Sequence, residues 1–419
     1  MFLCLFATLD TKGVEAGYVR DRLRALDVPV RLIDTGSGGT PALAPDVNRE
    51  EVFAAAGTTL AAVQAQGDRG AAVGWAARGA ATLAGQWLAK GELAGVLGLG
   101  GSAGTTIGTA AMRALPLGVP KLMVSTLASG QVRPYVGDKD VLMLNAVADI
   151  AGLNRISRAV LDQAAEAMAG LLRFRGERPA VPPGANQPLV AATMFGVTTP
   201  CVQVARGVLE QAGCEVLVFH ATGAGGQAME SLLAEGLVDG VLDLTTTELA
   251  DELVGGVLSA GPDRLLAAGR AGLPQVISVG ALDMVNFGPE STVPAQFAQR
   301  QFHRHNANVT LMRTTPEENR ALGRELGRKA AAARGPVLIL LPARGVSALD
   351  AEGQAFDSPR ARRELSAGIR ETCGAVAVEE CDCHINDPAF ARRAAEWLLE
   401  QLGRPRQRPQ VGESPTAVR

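Results

Sequence analysis

Two stretches of this chain, one at its start and one beyond residue 188, follow the same plan. Phe2 to Thr8 is a short apolar run of strand character that breaks at Leu9-Asp10-Thr11-Lys12-Gly13. A helical pattern follows, with Val14, Tyr18, Leu23 and Leu26 near helical spacing, and a second strand runs from Val28 to Ile33 into Asp34-Thr35-Gly36. Further on, Val190 to Phe195 reads as a strand, Gly196-Val197-Thr198-Thr199-Pro200 as a turn, Cys201 to Ala212 as a helix and Glu215 to Phe219 as a strand. The two stretches align without a gap. The offset that sets Leu3 against Val190 also sets Thr35-Gly36 against Thr222-Gly223 and Gly39 against Gly226. Strand, helix and strand at this spacing form a βαβ unit, and its repetition calls for two similar α/β domains with mostly parallel sheets flanked by helices.

The remaining pattern fits that reading. Residues 36–48 form a long loop, helices are expected around 49–64 and 70–90, and strands at Gly95–Leu99, Lys121–Ser125 and Val141–Leu144. A helix is expected over 151–175. The Pro-rich stretch Arg178 to Pro188 is a linker by composition. Later strands are expected at Val241–Leu244, Gln275–Val279, Val337–Leu341 and Ala375–Glu379, and a last helix at about 388–402. The expected organisation is an N-terminal domain over 1–178, a linker over 179–188, a C-terminal domain over 189–402 and a disordered tail over 403–419.

Composition narrows the function classes. With 47% hydrophobic and 20% charged residues, the 419-residue chain can bury a core in each of two domains and is not globally disordered. Its 49 glycines and 4% aromatics suit many tight strand–helix turns, not base-stacking platforms. A formal charge of −3 supplies no basic field for nucleic acid or anionic membrane. The six cysteines follow no disulfide framework, the start MFLCLF lacks the basic region of a signal peptide, and no apolar run is long enough to span a membrane. The expected setting is cytoplasmic, and a homo-oligomer is expected.

In open α/β sheets, ligands bind outside the carboxyl ends of the strands. The chemistry-bearing residues cluster just after the strands here. The strongest signal is Gly98-Leu99-Gly100-Gly101-Ser102-Ala103-Gly104-Thr105-Thr106, a Gly-rich turn into a helix N-terminus. Free backbone N–H groups, the helix dipole and the hydroxyls of Ser102, Thr105 and Thr106 suit a phosphate or carboxylate. No Gly-Lys-Ser/Thr follows, so it is not a Walker A loop. After the first strand, Asp10, Thr11 and Lys12 offer a cation to a phosphate, or merely a helix cap. Asp34, Thr35 and Gly36 suit a ribose hydroxyl or a metal ion, or simply a turn.

In the second half, His220, Thr222, Gly223, Gly225 and Gly226 form the counterpart loop, a second anion cradle with a histidine at its lip. Asp243 to Glu248 reads as a ligand loop or a plain N-cap with a first-turn acid. Asp283 and Asn286 suit a ligand or Mg²⁺. Arg313 lies in a poorly periodic region with His303 and His305, whose spacing makes a metal pair only on a strand. Arg344, Gly345 and Ser347 suit a carboxylate or phosphate. Cys381-Asp382-Cys383-His384 has the wrong spacing for a zinc site, so no metal site is expected there, and His384, Asn386 and Asp387 serve a ligand or the structure. No catalytic Ser-His-Asp order or nucleophile elbow stands out.

The runs TLDTKG, GLGGSAGTT, VTTPCVQVARGVLEQAGCEVLVFHATGAGGQAME, DLTTTELADE, SVGALDMVNFG, HNANVTLMRTT, PARGVS and INDPAFA together resemble the UPF0261 family, also described as the Tm-1-like ATP-binding domain family. The resemblance covers residues 1 to about 402. It implies two Rossmann-like α/β domains and ATP binding. The family's plant member carries this region as a viral-replication inhibitor joined to a TIM-barrel-like domain. No such barrel lies in these 419 residues, and replicase inhibition is not carried over.

Three functions compete. In the first, an ATP-dependent enzyme holds ATP, with Mg²⁺, on Gly98–Thr106 near Thr11 and Lys12, and binds a small anionic substrate across an interdomain cleft through Thr222–Gly226, Arg313 and Arg344–Ser347. In the second, the same loops make a nucleotide-binding regulatory module without turnover. In the third, a hydrolase or lyase uses His220 or His384 as base, with Asp283 as a further catalytic group. Two dissimilar Gly-rich loops suggest two ligands, which favours the first.

Overall fold

A computed structural model describes residues 1–175 and 187–403. The expected linker at 179–188, apart from its last two residues, and the expected tail after Gly403 lie outside the described residues. The chain divides between residues 181 and 182 into two units.

The N-terminal unit is built on five parallel strands: β1 (Phe2–Ala7), β2 (Val30–Asp34), β3 (Leu93–Gly100), β4 (Lys121–Ser125) and β5 (Leu142–Asn145). Their order in the sheet is β2-β1-β3-β4-β5. Every residue of β1 is buried, because both faces of the sheet are covered. Successive side chains point to opposite faces. Phe2, Cys4 and Phe6 pack with residues of helices Arg49–Ala55, Arg69–Ala89 and Ser102–Arg113. Leu3, Leu5 and Ala7 pack with residues of helices Leu9–Ala25 and Arg155–Arg175. The single helix expected over 49–64 is two, Arg49–Ala55 and Leu60–Gln66. Gly57, at φ 84°, lies in the break between them, and Thr59 caps the second helix through a hydrogen bond from the Ala62 N–H.

The C-terminal unit has six parallel strands: β6 (Leu189–Met194), β7 (Glu215–His220), β8 (Gly240–Thr245), β9 (Gln275–Gly280), β13 (Val337–Pro342) and β14 (Ala377–Cys381). Their order is β14-β13-β9-β8-β6-β7, so from its first strand outward this sheet repeats the order of the N-terminal one. The repeat is exact at its first element: the offset that pairs Leu3 with Val190 lays β1 on β6 end for end. One face packs against helices Thr199–Gln211 and Pro388–Leu402, the other against helices Pro316–Ala331 and Pro359–Thr372.

A small antiparallel sheet, like helices Pro316–Ala331 and Pro359–Thr372, is an element that periodicity did not reveal. It consists of β10 (Met284–Phe287), β11 (Phe302–Asn306) and β12 (Val309–Arg313), in the order β10-β12-β11. Buried Ala281 takes a left-handed conformation, φ 56°, just after β9, and its N–H donates to the Val346 carbonyl. The chain thereby leaves the parallel sheet. Asp283 and Arg313, expected on loops, are held at the margin of this sheet.

Glycines set the close contact between helices Pro316–Ala331 and Pro359–Thr372. A Cβ on Gly323 would lie 2.2 Å from the Leu365 carbonyl oxygen, and one on Gly368 2.3 Å from that of Arg320. Gly368→Ala is therefore expected to cost about 1–3 kcal/mol, since two backbones must part. Calorimetry should show a melting temperature lower by roughly 2–12 °C. Gly207→Ala, where a Cβ meets nothing within 4 Å, should leave the transition unchanged or raise it.

Candidate functional site

In the order β2-β1-β3, the chain leaves β1 toward one edge and continues from β3 toward the other, and loops part at the carboxyl ends of β1 and β3. A cavity of about 770 Å³ lies there. Thr8, Asp10, Thr11 and Lys12 after β1, Thr35 and Ser37–Gly39 after β2, and Gly101–Gly104 after β3 line it. The opposite wall comes from helices Leu60–Gln66 and Arg69–Ala89.

Helix Ser102–Arg113 starts at the cavity. Its N-cap is Gly101, which has no side chain to satisfy the first-turn N–H groups, so these and the positive end of the dipole face the lining. The neighbouring glycines bring helix and strand together. A Cβ on Gly100 would lie 2.9 Å from the Gly104 Cα, and one on Gly98 2.6 Å from the Met123 sulfur. Gly98 thus packs the helix down and is absent from the lining. Thr105 and Thr106 spend their hydroxyls on the chain: Thr105 donates to the Gly101 carbonyl at 2.7 Å and meets Ser125 Oγ at 2.7 Å, and Thr106 donates to the Ser102 carbonyl at 2.9 Å. Of the three hydroxyls read from this run, only that of exposed Ser102 lies on a lining residue.

Asp34 is fully buried and works from behind. Its Oδ1 accepts from the Leu9 N–H at 3.0 Å and the Gly36 N–H at 2.9 Å, fixing the starts of both loops. Burial pushes its carboxyl above the usual range, against the pull of those N–H groups and of Arg49, whose Nε is 3.7 Å away. Arg49 donates to the Gly38 and Gly39 carbonyls and holds that loop. Asp10 accepts from the Gly38 N–H through Oδ2, while its Oδ1 is buried without a partner. A Cβ on Gly36 would lie 2.7 Å from that oxygen, which explains a glycine there. The Asp10 carboxylate belongs to the cavity lining, and a carboxylate there fits Mg²⁺, which takes one or two carboxylates and completes its shell from water and phosphate. Lys12 donates to the Ile150 carbonyl and stands 3.9 Å from Asp149.

Sequence reasoning missed Arg69. It follows Asp68, which caps its helix by accepting from the Gly70 and Ala71 N–H groups, and it has no ion-pair or hydrogen-bond partner among the described residues. Val63, Ala72, Val73 and Ile107 add an apolar wall.

Two family models match the chain: the Uncharacterised protein family (UPF0261) N-terminal domain over residues 1–177 and its C-terminal domain over residues 187–402. The chain belongs to the UPF0261 family. A UPF0261 protein of Clostridium tetani is 45% identical over 96% of this chain and 98% of its own length. Another, of Rhizobium meliloti, is 49% identical over 92% of this chain and 96% of its own. The tomato ToMV resistance protein Tm-1(GCR237) is 46% identical over 74% of this chain, which corresponds to 42% of that protein.

In the C-terminal unit of this UPF0261 protein, the counterpart loop already holds an anion. The N–H groups of Gly223 and Gly226 donate to Glu248 Oε1 at 2.6 and 3.1 Å, and a Cβ on Gly226 would lie 2.2 Å from Oε2. Glu248 in turn accepts from Arg264 Nε at 2.6 Å, and the buried Arg264 guanidinium also binds Asp243 and Glu230. Gly225 packs on the His220 carbonyl, and Thr222 donates its hydroxyl to the same oxygen. The exposed His220 ring lies edge-on to Phe195, centroids 5.7 Å apart.

Asp283, Arg313, Gly345, Ser347 and His384, read from separate segments, meet in one buried network. Ser347 donates to Asp283 Oδ2 at 2.8 Å, and Arg313 donates to the Asp283 carbonyl at 3.1 Å and to Asp350 at 3.3 Å. The Asn386 N–H donates to His384 Nδ1 at 3.1 Å, which leaves the ring proton on Nε2 to be donated to the Ser347 carbonyl at 2.8 Å. Both ring nitrogens are thus held by the backbone. A Cβ on Gly345 would strike the ring, 2.6 Å from Cδ2. Arg344 faces solvent in a two-point pair with Asp382. Among the described residues, no three His, Cys, Asp or Glu side chains converge on a metal position, and no helix is long and apolar enough to cross a membrane.

Asp283 is pushed up to about 7, first by burial and then by Asp350. A carboxyl raised this way keeps its proton to higher pH in the folded state than in the unfolded chain. Its contribution to stability is therefore present below the unfolded value of 3.8 and falls as pH rises toward 7. Asp283→Asn, which still accepts from Ser347, should gain on the wild type in melting temperature as pH rises from about 4 to about 7. A difference that stays constant across that range would contradict this assignment.

Proposed function

We propose that the N-terminal unit binds ATP, with Mg²⁺, in the cavity at the ends of β1 and β3. The observation that carries this reading is the uncapped N-terminus of helix Ser102–Arg113 lining a cavity of about 770 Å³ at the sheet's switch point. That volume is within the range of small-molecule and cofactor sites. The first-turn N–H groups and Ser102 meet the phosphates, Arg69 and Lys12 neutralise them, and Val63, Ala72, Val73 and Ile107 give the base an apolar face. The Asp10 carboxylate is the protein group that fits the magnesium ion. The resemblance to the Tm-1-like ATP-binding domain family supports the choice of ATP over other phosphates. Turnover on a small anionic substrate is the enzymatic form of this reading, and substrate-dependent release of ADP or AMP measures it.

Ser102→Asp separates binding from folding. An acid in the first turn stabilises a helix by about 0.3–1 kcal/mol, yet it opposes a phosphate at the same place. Isothermal titration with ATP and Mg²⁺ should show one site in the wild type and none in the variant, with an unchanged or higher melting temperature. Arg69→Ala should weaken ATP about tenfold, as expected for one lost charge-assisted contact, and His220→Ala should leave it unchanged. ATP affinity indifferent to both Ser102→Asp and Arg69→Ala would place the nucleotide elsewhere.

A further inference from the structure

The C-terminal unit has a separate pocket, of about 360 Å³, along helix Pro359–Thr372 beside the ends of β13 and β14. One side is apolar, with Val279, Leu341, Val346 and Leu365 among its residues. The other carries three guanidinium groups, Arg362, Arg363 and Arg370. Arg363 and Arg370 are two turns apart on the helix, and Arg362 lies beside the first.

The charges are unevenly paired. The one acidic lining residue, Glu380, is 3.2 Å from Arg370 and is taken by it. Arg362 gives Nη1 to Asp350 and Asp357, but its Nε is buried without a partner. Arg363 has neither ion-pair nor hydrogen-bond partner among the described residues. A guanidinium has five donors and no acceptor, so these unused N–H groups can be met only by water or an anion. Leaving a buried one unmet is costly. The helix begins at Pro359 here, and its dipole adds positive potential.

We propose that this pocket binds a small organic carboxylate. The free guanidinium of exposed Arg363 offers two parallel N–H groups, which match one carboxylate in a two-point contact. The apolar side receives a short hydrocarbon body. A volume less than half that of the N-terminal cavity admits such an acid and excludes a nucleoside triphosphate. The site is distinct from the ATP cavity in residues and in unit, and it does not depend on ATP being bound.

The test is titration of the full chain with butanoate, inorganic phosphate and ATP, followed by NMR or calorimetry. Butanoate should saturate with a dissociation constant on the order of 1 mM, in keeping with so few atoms. Arg363→Ala should weaken it about tenfold, Arg363→Lys should recover part of the loss, and Arg360→Ala, whose partner is Glu317 and which is not in the lining, should not change it. ATP should leave butanoate binding unaltered. Absence of saturable butanoate binding, insensitivity to Arg363→Ala, tighter binding of phosphate than of butanoate, or displacement of butanoate by ATP would each overturn the proposal. Failure of ATP to bind anywhere would bear on the N-terminal cavity alone.

Discussion

Both faces of both large sheets are covered, and the rest of the molecule follows from that. Strands such as β1 have no wet side, so polar groups gather at strand ends, where backbone N–H groups and side chains can pair. The fate of each strand-end loop then depends on what fills the space in front of it. In front of β1 and β3 that space is open and lined by N–H groups, two cations and the Asp10 carboxylate. In front of β7 and β8 a carboxylate of the chain fills it.

The fold was largely legible in the sequence because a strand buried on both sides is a continuous apolar run, and the run FLCLFA, repeated in kind at Leu189–Met194, marks one. The sheet order itself repeats with that run. The antiparallel sheet escaped because its strands are short and because the turn before it rests on a left-handed Ala281, a conformation that alanine does not advertise. Hydroxyls were harder to assign than glycines. A threonine in a helix can donate to the carbonyl one turn back, and Thr105 and Thr106 both do so. Arg69 gave no signal, since an arginine in a first helical turn looks like solvated surface until another loop is placed opposite it.

Long-range partners account for the remaining differences. Glu248 has the local pattern of a first-turn acid, yet its carboxylate reaches back to Gly223 and Gly226. His384 has the look of a ligand or base, yet its ring is fixed between Asn386 and Ser347. The Glu248 contacts and the His384–Ser347 contact join residues more than 20 apart in sequence, so local periodicity does not reveal them. Asp283, Arg313 and Ser347 were each singled out as chemistry-bearing residues, and the structure joins them as a lock between β9, β12 and β13.

The filled loop has an evolutionary consequence. Glu248 is held by two glycine N–H groups and by Arg264, and Arg264 by Asp243 and Glu230 as well. Removing Glu248 alone strips a buried cation of one of its counter-charges, and enlarging Gly226 alone drives a side chain into the carboxylate. Each single step back toward an open loop passes through a damaged protein. Within the repeat, the Glu248 carboxylate thus locks the C-terminal loop, while Ser37–Gly39 and Gly101–Gly104 of the N-terminal unit line an open cavity.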